Sequence, residues 1–421
     1  MIVGRRTSAA VATALLCVSS AKTYADEIDW QELATRPSLL DGAGSVKETL
    51  RNRGISTDAS VTQFYQAFTK GTGPNDGAYG SRADVYVRLD GAKLGLWQGL
   101  FVSLHQDWVL GDAIDGQGGT VLPVNTALAF PPRGGHNRDT SLVITQAFNS
   151  NVSVSAGKFD MFEQSAKTPI MGGGGLDTFM NLALATPITG ITPPYLLGAN
   201  LTIKTAPATV SFFVYDPRNA QDWNVIQHPF ADGTTYLGAV TVPVNFGGLD
   251  GFQNFKAAFS TQEGIDFNSI PELALPPEAG GSLQRKDGRW YFAYSFQQYL
   301  YQSPANPQQG WGVFGQFGVS DGNPNPLETN SIVGIGGTGT LPSRPIDRWG
   351  VAYFRYNASD VLTQNLELFN IHFDHESGVE AFYNLAVTPW FRVTADAQFI
   401  HPVNSDKDDA VFLGLRNQIK F

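Results

Sequence analysis

The stretch Ala410–Phe421, AVFLGLRNQIKF, sets Val411, Leu413, Leu415, Ile419 and Phe421 against Gly414, Arg416, Gln418 and Lys420. A period of two with one apolar face marks a strand that is half in contact with a nonpolar surface. Chain ends are normally polar and frayed, so a pattern kept to Phe421 predicts a strand closed against a partner. The first strand of the same sheet is the expected partner, because closure removes the exposed edge. Ile419, Leu415 and Leu413 would then face outward, and Arg416, Gln418 and Lys420 inward.

The alternation recurs upstream. Val85, Val87 and Leu89 oppose Asp84, Tyr86, Arg88 and Asp90; Trp290, Phe292, Tyr294 and Phe296 share a face; Val379, Ala381, Tyr383, Leu385 and Val387 oppose Glu380 and Asn384. There are about sixteen such segments, with starts near 61, 82, 98, 138, 150, 196, 207, 235, 252, 287, 308, 346, 362, 377, 389 and 410. Short links (148–152, 205–209, 246–251, 387–390) take turns with long ones (111–137, 161–195, 216–234, 263–286, 321–345). FDHESG, in the seventh long slot, is short. Even strand number and one-sided loops predict an all-β fold, a transmembrane antiparallel barrel of about 16 strands. An up-and-down soluble barrel has no need of that asymmetry.

Composition agrees. Charged residues make up 16%, against about 25% in soluble domains, while aromatics reach 12% and glycine numbers 45. The first residues, MIVGRRTSAAVATALLCVSSAKTYADE, combine a basic start (Arg5, Arg6), an apolar core and small residues before Asp26, which predicts a secretory leader over 1–25. Residues 26–60 are expected to form a periplasmic segment with one short helix in SVKETLRNRG, capped by Ser45 and Glu48 and stopped at Gly54. Residues 61–421 are assigned to the barrel. Cys17 is the single cysteine and falls in the leader, so disulfides and thiolate chemistry are excluded from the mature chain. The net charge of -10 argues against nucleic acid as a partner.

Several segments together resemble one family, the OprB-type carbohydrate-selective porins: SLLDGAGSVKETLRNRGI, TQFYQAFTKG, LDGAKLGLWQG (89–99), GKFD (157–160), FMNLAL (179–184), GWGVFGQFGVSDGNPNP (310–326), RPIDRWGVAYF (344–354) and GVEAFYNLAVTPWFRVTADAQFIHPV running into GLRNQIKF. DGAGS stands where the family opening carries a Trp-Gly-Gly run, and residues 216–285 match little. The resemblance implies a 16-stranded barrel in the outer membrane of a Gram-negative cell and passive uptake of mono- and oligosaccharides. Outer-membrane lipid, lipopolysaccharide and the barrel-assembly machinery are the further expected partners, with a homotrimer left open.

A pore of this kind does no bond chemistry; its working parts line and narrow the water-filled interior. Strand parity nominates Asp84, Tyr86, Arg88, His105, Asp107, Lys204, Gln297, Gln316, Glu380, Arg392, Asp396, Gln398, Arg416 and Lys420 as inward groups. Each could equally serve a solvated wall or pair across strands. Arg88, Arg392 and Arg416 lead, because a guanidinium offers a rigid fork of donors to hydroxyl pairs. The third long loop, 161–195, is the expected constriction: its apolar FMNLALA could pack on the inner wall and turn Asp177 and Asn181 toward the channel, or the loop could form a surface lid.

No cofactor is expected. GGGG (172–175) and GIGGTG (334–339) lack the Lys-Ser/Thr of a phosphate loop. HFDH (372–375) could hold a divalent metal or be solvated, and SDKDD (405–409) could bridge to lipopolysaccharide through calcium, although it lacks the pattern of a calcium loop. No carboxylate pair is marked as an acid and base. The alternatives are a general or anion-preferring porin and, in another class, an outer-membrane enzyme or a soluble sugar-binding β protein.

Overall fold

The computed structural model describes residues 30–421 apart from 43, 74–75, 132–137, 276–277, 279–280, 340 and 342; the expected leader lies outside the described residues. The strands are β1 Ile55–Lys70, β2 Ala78–Asp90, β3 Leu100–Gly111, β4 Arg138–Ala147, β5 Val152–Asp160 and β6 Tyr195–Lys204. Next come β7 Thr209–Tyr215, β8 Thr235–Phe246 and β9 Leu249–Ser260, then a small loop hairpin of β10 Gly264–Ile265 with β11 Arg285–Lys286. β12 Arg289–Ser303, β13 Asn306–Ser320, β14 Leu327–Thr338, β15 Arg348–Ala358, β16 His375–Ala386, β17 Phe391–His401 and β18 Ala410–Lys420 complete the chain. Apart from β10 and β11, these form one closed antiparallel barrel of 16 strands.

β18 pairs with β1 as its terminal pattern predicts, with Ile419 opposite Val61, Arg416 opposite Phe64 and Phe412 opposite Phe68. Leu413 and Leu415 are 47% and 44% exposed on the outer wall, whereas Arg416 is 1% exposed inside. Phe399, Tyr383, Phe292 and Trp290 extend that exposed apolar belt. Such a surface is unfavourable in water and suited to hydrocarbon, where closure pairs the backbone groups of both edge strands.

Two errors in the strand reading cancel. The segment read as a strand from 362 is a helix, Asp360–Leu366, whose first turn is capped by the Ser359 hydroxyl accepting from Leu362 N. The stretch read as a loop, 321–345, contains β14. Its inward alternation is hidden by glycine: a Cβ on Gly334 would meet the Phe314 ring at 2.3 Å, so the position has no side chain to show. The connection over 359–374 is therefore long, not the short FDHESG. β1 begins at Ile55, ahead of the expected 61.

The N-terminal segment crosses the closing seam at the short-turn end. Ser45 caps the helix Val46–Asn52 by accepting from Glu48 N at 3.2 Å, and Glu48 reaches back to Gly44 N at 2.6 Å, one residue beyond the expected box. Lys47 Nζ donates to Ser38 Oγ and to Phe421 O, and Leu39 N to Lys420 O. The first and last strands are thus clamped by the same short segment.

Candidate functional site

Two long connections turn into the barrel. Parts of 112–130 and 161–194 press Val124, Leu128, Phe179, Met180 and Leu184 onto Phe64, Phe354, Phe382 and Phe412 of the inner wall, all of them buried. Phe179 meets Phe382 edge-on at 4.8 Å, and Gly350 leaves the space it needs: a Cβ there would come within 2.7 Å of the Phe179 ring. Each large apolar side chain so buried contributes about 1.5–3 kcal/mol. FMNLALA does pack on the wall, and the loop is no surface lid.

Wall side chains grip both loops largely by their main chains. Arg416 donates through Nη1 to Gly175 O at 2.7 Å and through Nη2 to Thr178 O at 2.8 Å. Glu380 accepts from Met180 N and from Asn181 N, the latter at 3.0 Å. Gln398 accepts from Asn181 Nδ2 and donates to Val124 O and to Asp396. Gln297 accepts from Ile170 N at 2.9 Å, and Glu376 accepts from Val121 N and Leu122 N at 2.7 Å each. Arg416 and Asn181, expected to face the channel, are therefore sealed beneath the loop; Glu380, Asp396, Gln398 and Gln297 are buried there too. Parity is right for these residues, but an inward direction does not guarantee contact with water.

Asp84, His105 and Asp107 belong to a second buried cluster. Arg82 bonds Asp84 at 2.9 Å and Asp107 at 3.0 Å, while His105 lies between Asp84 (2.9 Å) and Asp160 (3.2 Å). Tyr86 stacks on His105 with ring centroids 4.1 Å apart. Asp160 also caps the helix Met161–Ala166 by accepting from Phe162 N and Glu163 N, so this cluster fixes the entry of the loop into the bore.

A third group sits at the short-turn end. Arg348 holds Asp177 at 3.0 Å, and Lys420 lies 3.8 Å from its other oxygen. Burial pushes the Asp177 carboxyl up, but Arg348, Lys420, Arg392 and Arg416 outweigh it and hold the group at about 2. Arg392 is half-buried and bonded to Asn384 Oδ1 and Ile346 O. Arg88 is exposed, 3.7 Å from Glu163 of the inner loop, and Lys204 is exposed beside the 205–208 turn.

The opposite wall carries space. Between the inner loop and β8–β13 lies a cavity of about 370 Å³ bordered by Thr241, Asn254, Lys256, Ser295 and Gln316. Gln316 itself is buried and accepts from Lys256 Nζ at 3.2 Å. Sequence reasoning missed Arg82, Asp160, Lys256, Arg348 and Glu376. Arg82 and Lys256 share the parity of Asp84 and Asn254 and were within reach of the same alternation; Glu376 lies one residue before the expected start of its strand. Among the described residues, no group of three or more His, Cys, Asp or Glu side chains could hold a metal; His372 pairs with Asp406, and His375 with Asp374.

No curated protein matches the chain. Among solved structures, the high-pH structure of Pseudomonas putida OprB superposes with a TM-score of 0.78 at 19% identity, covering 92% of this chain and 99% of that one. The low-pH structure of the same protein gives 0.53 at 14% identity over the same shares. At these identities the likeness shows the barrel fold. The family model for carbohydrate-selective porins of the OprB family matches residues 59–421. With nearly the whole barrel inside that match, the chain belongs to the OprB family of carbohydrate-selective porins, outer-membrane channels that are not enzymes.

Proposed function

We propose that sugars diffuse passively through the gap between the loop 161–194 and the wall of β6–β9, β12 and β13, and that only the inward groups still reached by water touch them. Arg88, Arg392, Lys204 and Lys420 are assigned to the solute or its path, with Tyr86 at the edge of it, and Asp177, paired with Arg348 and Lys420, to positioning the loop beside that path. Asp84, His105, Asp107, Gln297, Gln316, Glu380, Asp396, Gln398, Arg416 and Asn181 are assigned to holding the constriction in shape. The observation that carries this reading is the loop itself, drawn inside the bore and fixed to the wall by charged and amide side chains. A rigid aperture lined by planar donors and acceptors suits mono- and oligosaccharides, whose hydroxyl pairs bond in forks.

The same reading puts the apolar outer wall in outer-membrane lipid, with lipopolysaccharide against the acidic loop at 405–409. Export by the leader over 1–25, insertion by the barrel-assembly machinery and assembly as a homotrimer complete it. Liposome swelling tests the transport role. Proteoliposomes should admit glucose readily and maltose more slowly; a folded barrel impermeable to both would reject it.

A further inference from the structure

Lys256 on β9 is an inward cation whose charge no neighbour balances. Its Nζ donates to the neutral Gln316, and among the described residues no carboxylate reaches it. Several other bore cations have an acid at hand: Arg82 has Asp84 and Asp107, Lys158 has Asp139 and Arg348 has Asp177, while Arg392 and Arg416 bond neutral oxygens with Asp177 and Asp396 nearby. Removing an ammonium partly from water is costly unless an anion meets it. This one is half-buried and borders open cavities, so an anion arriving from solution can reach it.

Its position allows that. Lys256 lies in the walls of two cavities that also share Ser165 and Pro187. The cavity toward the outer end, about 250 Å³, is bordered by Leu237, Ala258 and Tyr291 and is mainly apolar. The inner one, about 370 Å³, offers Thr241, Asn254 and Ser295. β9 passes between them, with Ala258 on one side of Lys256 and Asn254 on the other. Among the described residues no acidic group is paired with Lys256, so an arriving anion would meet an unspent positive charge. The chain as a whole, at a net charge of -10, repels anions, and any preference for them has to be local.

We infer that these joined cavities form a binding site for a monosaccharide bearing one anionic group, a carboxylate or a phosphate. Lys256 pairs with the anion, and Thr241, Asn254 and Ser295 bond the hydroxyls. The inference rests on the sugar-channel reading above and adds the class of sugar.

Single-channel current block tests it, with glucose, glucuronate and glucose 6-phosphate titrated separately on the reconstituted full chain. At least one of the two acidic sugars should half-block at a concentration about tenfold below that of glucose, and the stronger of the two identifies the anion as carboxylate or phosphate. Lys256→Gln should abolish the gap while leaving glucose block in place, and Lys256→Arg should retain most of it. Equal block by all three sugars in the unaltered protein would overturn the inference while the sugar-channel reading stands. An advantage for acidic sugars that survives Lys256→Gln would overturn the assignment to this site. If no sugar blocks and none permeates, both readings fall. Should Lys256→Gln not fold, the comparison of the three sugars on the unaltered chain still decides.

Discussion

Opposite walls of this barrel share one strand pattern and differ in what covers them. On β1 and β15–β18 the inward side chains lie beneath packed loops: Phe64, Phe354, Phe382 and Phe412 are dry, and Arg416, Glu380 and Gln398 bond loop atoms. Along β6–β9 and β12 the inward positions border cavities, with Asn200, Ser211, Thr241, Asn254, Lys256 and Ser295 among them. Alternation assigns a side; only the path of the long loops separates the covered half of the bore from the half that borders cavities.

Arg416→Ala should break the comparison most severely. It removes both donors to Gly175 O and Thr178 O, at about 1.5–3 kcal/mol for each bond to a charged group. The loop should leave the dry wall, raising single-channel conductance severalfold and abolishing sugar block, while heat-modified gel migration reports an intact barrel. Arg416→Lys should do nearly as much, because an ammonium lacks the fork that spans two carbonyls.

Glu380→Gln should act in the same direction and less strongly. An amide keeps one acceptor oxygen where the carboxylate uses two, so one of the bonds from Met180 N and Asn181 N is lost. A conductance equal to that of the unaltered channel would show that the remaining contacts hold the loop without this bond.

Asp177 sharpens the contrast through pH. Its folded-state value of about 2 lies below the ordinary aspartate value of about 3.9. Its stabilisation of the loop is thus fully present above about pH 4 and is lost as pH falls toward 2. Channels with Asp177→Asn should differ from the unaltered ones in noise and conductance at neutral pH, and the two should converge in that acid window. A difference unchanged down to pH 2 would show that the ion pairs with Arg348 and Lys420 do not position the loop.

The smallest effect belongs to Arg88→Ala, at an exposed position on β2. Its 3.7 Å pair with Glu163 is exposed, and such pairs contribute at most about 1 kcal/mol. Thermal stability should therefore hold, while ion selectivity shifts modestly in reversal-potential measurements. A large loss of stability would place Arg88 with the anchoring groups.

Much of the fold was legible because a barrel in lipid must repeat the same two-faced strand. The pattern of β18 points to its true partner, and FMNLALA of the loop 161–195 packs on the inner wall as its apolar residues suggest. β14 is hard to read because inward glycines such as Gly334 and Gly336 carry no side chain to alternate, and the segment from 362 reads as a strand although it is a helix. The site was less legible. Arg416 and Asn181 have the residue types and parity of channel-facing groups, yet their burial depends on contacts some 200 residues apart in sequence, between loop 161–194 and β16–β18. Lys256 lies in a stretch with little family likeness, where strand parity alone marks it as inward.

Because Arg416, Glu380, Gln297 and Glu376 hold peptide groups of the inner loops, those bonds leave exposed loop positions such as Gln164, Lys167 and Pro169 free to vary, while Ile170 and Met180 stay fixed by the core. Mutation can therefore vary what the aperture displays without first redesigning how it is mounted. A scaffold of this kind offers a practical starting point for grafting new selectivity filters, and it gives evolution the same latitude to change diet.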